Sequence, residues 1–192
     1  KVVLDIGGYD GFAADIAYKR GATRAICLDN HQYECYGWEE KKLESVEYIC
    51  GDVMELQLDQ DGEWLNSPDS WDITSLDLPD VLINYNVLYH VKNPWAFLDK
   101  CREIIKPGGE MLLCTLFRYS DQPTWHLYRP LECNPTDRTV FWGASISGIE
   151  RMLEFTGWRY EKYALAYDRV LYRCWPVVEF KPDLAAEGYA KS

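Results

Sequence analysis

Apolar residues fall along the chain in short continuous runs, separated by stretches in which they recur every three or four positions. A continuous apolar run marks a strand covered on both faces, and the helical period marks an amphipathic helix. Their alternation predicts a parallel sheet with helices on both sides. "KVVLDIG" predicts a first strand, and residues 12–20 a helix in which Phe12 and Ile16, and Ala13 and Ala17, stand four apart before Gly21 ends it. "RAICLD", "VEYICGD" and "DVLINYNVLY" predict the second, third and fourth strands. Asn93 and Pro94 predict the cap and first position of a helix striped by Phe97, Leu98, Cys101, Ile104 and Ile105, which "KPGG" stops. "EMLLCTLF" predicts a fifth strand. The spacing of Ser147 and Glu150 predicts a capping box ahead of Ile149, Met152 and Leu153, and Gly157 closes that helix. The last part, "RYEKYALAYDRVLYRCWPVVEF", predicts two strands joined by a turn near Tyr167 and Asp168, and a connection that short demands opposite directions.

The expected architecture is therefore α/β: a doubly wound, seven-stranded, mostly parallel sheet with an antiparallel last strand, in one domain over residues 1–192. A central strand starting at Lys1 leads us to expect further sequence upstream. Segments 59–79 and 117–145 carry neither period and predict long functional loops, the second covering an acceptor site.

Charge narrows the partners. A formal net charge of −11 repels phosphate backbones and disfavours nucleic acid, although a basic segment upstream would leave tRNA open. Seven cysteines with no C-x-x-C pair point to a reducing, cytoplasmic setting. His31 and His126 have no carboxylate or cysteine at ligand spacing, so no metal site is expected. No apolar stretch is long enough to predict a membrane span.

The candidate chemistry begins at "DIGGYDG". A turn that brings backbone close to a ligand needs residues without a Cβ at its tightest points, which Gly7, Gly8 and Gly11 provide. Their spacing departs from the G-x-G-x-x-G of dinucleotide-binding turns, which weighs against an oxidoreductase. Asp29 ends the second strand, where a carboxylate meets ribose hydroxyls; the other reading is a cap on the helix that follows. His90 follows the fourth strand, and an imidazole with a free pKa of about 6.5 suits general base work or, alternatively, fixes the local loop. Within 117–145, Trp125, Tyr128, Arg129 and Trp142 combine aromatic faces with positive charge and are candidate substrate-binding residues. The alternative is that these aromatics pack the loop onto the domain.

Five segments together, "VLDIGGYDGFAADIAYKRGA", "CLD", "GDV", "DVLINYNVLYHVKNPWAFLDKCREIIKPGGEMLL" and "SGIERMLEFTGW", resemble the class I S-adenosylmethionine-dependent methyltransferases. Gly7 and Gly11 match the outer glycines of that family's G-x-G-x-G loop, and Tyr9 stands at the middle one. The loop's aromatic-Asp-Gly-Phe form and "VLYHVKNP" resemble a subgroup similar to tRNA wobble-uridine methyltransferases. The resemblance implies a Rossmann-like fold and S-adenosylmethionine held by Asp5, Gly7, Gly8, Tyr9, Gly11, Asp29, Asp52, Val53, Asn84, Tyr85 and Tyr89. Asp52 would face the adenine amino group, and the Val53 amide the ring. Carboxymethyl-transferring relatives place a tyrosine at Tyr89 and an arginine near Arg169 to hold an extra carboxylate. The function expected is direct methyl transfer to an oxygen or nitrogen of a small-molecule acceptor, with His90 as the candidate catalytic residue; such displacement requires no nucleophile or triad. The alternatives are tRNA wobble-uridine methyl or carboxymethyl transfer, and a cofactor-binding module without transferase activity, which Tyr9 in place of glycine keeps open.

Overall fold

The computed structural model describes residues 1–30, 42–57 and 77–179. In chain order the elements are β1 (Val2–Ile6), α1 (Phe12–Lys19), β2 (Arg24–Asp29), β3 (Glu47–Cys50), β4 (Val81–Tyr85), α2 (Pro94–Glu103), β5 (Glu110–Arg118), β6 (Trp125–Leu127), β7 (Trp142–Ser145), α3 (Ile146–Phe155), β8 (Trp158–Ala166) and β9 (Arg169–Pro176). Seven strands form the main sheet in the order β3-β2-β1-β4-β5-β9-β8. The first five are mutually parallel, and β9 runs antiparallel to both β5 and β8. The expected architecture thus holds, because a tight turn at Tyr167 forces the final reversal.

Burial divides the helices as the apolar periods direct. On one face, Phe97, Leu98 and Cys101 of α2 and Ile149, Met152 and Leu153 of α3 close over Leu4, Leu82, Met111 and Tyr172. On the other, Ala13 and Ala17 of α1 pack on Val3, Val81 and Ile83. Asn93 caps α2 as expected, its Oδ1 accepting the Ala96 amide hydrogen at 3.2 Å, with Pro94 at the first helical position.

Four local expectations need correction. Phe12 does not join the buried face of α1 and is 62% exposed, because small alanines let that helix lie close to the sheet. β4 stops at Tyr85 instead of running to Tyr89: Asn86 takes a φ of 62° and turns the chain into a short 3₁₀ turn, Leu88–His90. The cap of α3 is Ser145, not Ser147; β7 ends there without a linker, and Ser145 Oγ accepts the Gly148 amide hydrogen at 3.1 Å. Finally, 117–145 is not wholly irregular. Beyond the last β5–β9 pair, Leu116 with Arg169, the β5 edge is free to take Ala144 and Ser145 of β7, and β6 adds to β7. Three- and four-residue strands are too short to show a period. Of the 59–79 segment, residues 59–76 lie outside the described residues, as does His31. Among the described residues no helix is long and apolar enough to cross a membrane.

Candidate active site

A cleft of about 800 Å³ opens at the carboxyl ends of β1, β2, β3 and β4, within the range of small-molecule sites. Its first wall is the glycine turn. Gly7 has a φ of 65°, and a Cβ there would collide with Val87, so this glycine lets the β4 connection approach β1. Gly11 has a φ of 78° and abuts the Tyr48 hydroxyl, which donates to the Asp10 carbonyl at 2.8 Å and accepts the Leu43 amide hydrogen at 3.2 Å. Tyr9 also adopts a left-handed φ, of 51°, at the position where the related pattern has a glycine. What holds it is Asp29: the Tyr9 amide donates to Asp29 Oδ2 at 2.8 Å, while Asn30 donates to Oδ1 at 2.8 Å. Burial pushes the Asp29 carboxyl above its ordinary range, against the pull of those two amides.

Several expected residues support the cleft from behind. Asp5 lies beneath Gly8, 2% exposed, and burial pushes its carboxyl up to about 7. Its Oδ2 has no hydrogen-bond partner among the described residues, nor does either amide atom of the fully buried Asn84. Tyr89 is buried under Arg169, whose Nη2 donates to the phenol oxygen at 3.3 Å and whose guanidinium lies 5.2 Å from the ring centroid. Arg169 also donates from Nε to Asn86 Oδ1 at 2.8 Å and pairs with Asp168 at 2.7 Å.

The expected residues that face the cleft are Gly7, Tyr9, Asp29, Asp52, Val53, Tyr85 and His90. Asp52 caps the short turn that follows β3, its Oδ1 accepting the Met54 amide hydrogen at 2.9 Å. Two rim carboxylates, with Lys92 the only lysine or arginine among the described lining residues, suit a ligand bearing hydroxyls, an amine and a cationic centre. They oppose a diphosphate.

The four aromatic and basic residues expected to touch substrate do not line the cleft. Trp142 is 2% exposed, its indole N–H donates to the Val91 carbonyl at 2.9 Å, and Trp125 stacks between it and Trp95 at centroid distances of 4.6 and 4.7 Å. Tyr128 sits against Arg118 and Arg129 is exposed. These residues seat the β6–β7 hairpin on the start of α2, because large rings gain most where they bury most area. From the same segment the structure brings Thr139 and Phe141 to the cleft, along with Asn86 and Val87 after β4, all four missed by the sequence reading. Phe141 is anchored by its amide, which donates to the Tyr89 carbonyl at 3.0 Å. The signals were faint: an asparagine before a 3₁₀ turn, and an Asp137-x-Thr139 turn.

His90 lines the cleft from the 3₁₀ turn, with Nδ1 3.0 Å from the Thr139 carbonyl oxygen and 2.9 Å from Thr139 Oγ1. Both contacts tie the 3₁₀ turn to the loop that carries Thr139.

Among curated proteins, a ubiquinone biosynthesis O-methyltransferase of Cereibacter sphaeroides is 51% identical over 39 residues, 20% of this chain and 16% of that protein. A tRNA U34 carboxymethyltransferase of Hahella chejuensis is 31% identical over 83 residues, 43% of this chain and 25% of that protein. These matches span a quarter or less of the relatives' own length. Among solved structures, human N-acetylserotonin methyltransferase in complex with SAM superposes with a TM-score of 0.65 at 16% identity, over 92% of this chain and 48% of that one. The DhpI–SAH complex gives 0.61 at 16% identity, over 93% and 78%. At such identities the likeness speaks to the fold. A family model described as a methyltransferase domain matches residues 1–163, the span that carries the whole described wall of the cleft, and the chain accordingly belongs to that family.

Proposed function

We propose that this chain is an S-adenosylmethionine-dependent methyltransferase that methylates an oxygen or nitrogen of a small-molecule acceptor. The observation that carries the reading is the pair of carboxylates, Asp29 and Asp52, on the same cleft as Gly7 and His90. When bound, S-adenosylmethionine would supply a methyl group on a sulfonium centre, open to attack by an acceptor lone pair. Asp29 accepts hydrogen bonds from the ribose hydroxyls while keeping the Tyr9 amide in place. Asp52 takes the adenine amino group and Val53 offers its backbone amide to the ring. Asp5 and Asn84 act from behind, and Phe141 and Val87 shield the reacting end from water. His90 removes the acceptor's proton. A cytoplasmic location fits the described cysteines, all of which are free thiols.

The test is titration calorimetry of the purified chain with S-adenosylhomocysteine and, separately, with NADH. Saturable binding of the first alone is expected, and Asp29→Ala should weaken it by about 1.5–3 kcal/mol, the range for hydrogen bonds to a charged group. Binding of NADH without a response to S-adenosylhomocysteine overturns the reading. Tight binding with no S-adenosylhomocysteine released from S-adenosylmethionine across an acceptor panel favours the non-catalytic module.

A second reading, transfer of methyl or carboxymethyl to a tRNA wobble uridine, draws on one observation. Arg169 reaches the Tyr89 hydroxyl, the pair that the resemblance links to an extra carboxylate. Against it, Arg169 is already committed to Asp168 and Asn86.

A further inference from the structure

The tautomer of His90 follows from the atoms around it. A carbonyl oxygen only accepts, so the Thr139 carbonyl, 3.0 Å from Nδ1, favours a hydrogen on that nitrogen. Thr139 Oγ1 lies 2.9 Å from the same nitrogen, and its own hydrogen is already given to Asp137 Oδ1 at 2.6 Å. It therefore faces Nδ1 with a lone pair, as a second acceptor. Neutral imidazole has one N–H, which leaves Nε2 with the lone pair. Asp137 Oδ2 stands 3.9 Å from Nε2, placed to attract that nitrogen once it is protonated. Asp137 itself is fixed locally: Oδ1 also accepts the Thr139 amide hydrogen at 2.8 Å, within a turn where Asn134 Oδ1 accepts the Thr136 amide hydrogen at 3.1 Å. A simple clip between loop and turn would need only the carbonyl bond. Here the carboxylate occupies the one hydrogen with which Thr139 would otherwise donate to the ring.

We propose that Asp137, acting through Thr139, is a positioning residue that holds His90 in the Nδ1–H tautomer and keeps Nε2 as the proton acceptor of the cleft. The inference rests on the methyl-transfer reading for the use of that proton acceptor, while the tautomer itself does not. In the step served, the acceptor's oxygen or nitrogen bonds to the methyl carbon as the carbon–sulfur bond breaks. The pair of electrons of that bond stays on sulfur. The proton leaves the acceptor for Nε2, 3.9 Å from Asp137 Oδ2, and passes from there to water.

The experiment is long-range ¹H–¹⁵N NMR of the full chain labelled at histidine, which reports directly which ring nitrogen is protonated. The chain has three histidines, and His90 is assigned by the resonance that His90→Gln removes. The wild type is expected in the Nδ1–H form at a pH where the ring is neutral. Asp137→Ala frees the Thr139 hydroxyl to donate to Nδ1, so the Nε2–H form should appear; Asp137→Asn keeps an acceptor and should restore the wild-type pattern. An Nε2–H wild type, an unchanged Asp137→Ala spectrum, or an Asn variant that matches the Ala variant overturns the proposal. Should Asp137→Ala fail to fold by circular dichroism, Asp137→Leu, which removes the acceptor while filling its volume, takes its place. Loss of S-adenosylhomocysteine binding by the wild type would instead sink the cofactor reading and leave the tautomer result standing.

Discussion

Asp5 is a carboxyl group held where its charge is poorly solvated. Burial dominates the rise of its pKa to about 7, the Ala14 amide opposes it, and the nearby charges of Asp29 and Asp10 add to it. The folded state then binds this proton more tightly than the unfolded chain, whose value is 3.8. The resulting stabilisation is fully present below the unfolded value and is lost as pH rises through about 7. Asn is neutral, similar in shape, and retains an oxygen for the Ala14 amide. Asp5→Asn should therefore flatten the dependence of melting temperature on pH across that window and leave the variant more stable than the wild type at pH 8. Every tenfold difference in proton affinity between the folded and unfolded chain corresponds to about 1.4 kcal/mol of stability. Parallel melting profiles for the two proteins would show that Asp5 is not the titrating group. Only its depth in the fold gives Asp5 this property; in the sequence it is one aspartate ending an apolar run.

Ser145 joins two elements. Its Oγ accepts from Gly148 of α3 and, at 3.0 Å, from the Thr124 amide just before β6, so one fully buried hydroxyl serves a helix end and a hairpin entry. Ser145→Ala leaves both donors without that acceptor in a buried setting. The expected cost is about 1–3 kcal/mol of unfolding free energy by urea denaturation, with a loss under ~0.5 kcal/mol refuting the shared role. The Asn93 cap was legible because a proline follows it, and that pair has one reading. The Ser145 cap was not: Ser147 and Glu150 present the more familiar spacing, and where α3 begins depends on where β7 stops pairing with β5. The same dependence shortened β4, since an apolar run through Tyr89 does not reveal that Asn86 turns left-handed.

At the scale of the whole molecule, a formal charge of −11 sets the long-range field, and a polyanion must approach against it. Of the three arginines of the 117–145 segment, Arg118 lies over Tyr128, and Arg129 and Arg138 are off the cleft. Filter binding with bulk tRNA at low salt, where attraction is strongest, should show no micromolar binding; binding that fades steeply with salt would promote the wobble-uridine reading. The sequence by itself determined the parts that rest on local periodicity and chemistry. These are the order of the main strands along the chain, the buried stripe of α2, the glycine turn, and the carboxylates Asp29, which ends β2, and Asp52, just beyond β3, because a strand's direction dictates which end of the sheet its last residues reach. Only the tertiary structure decided which residues of the 117–145 segment face the cleft. Pairing of Phe117 with Ala144 sets the register of that hairpin, burial draws Trp125 and Trp142 onto α2, and what remains at the rim is Thr139 and Phe141. His90 and Thr139 stand 49 residues apart, a separation that no local pattern spans and that the pairing of β5 with β4 and β7 closes.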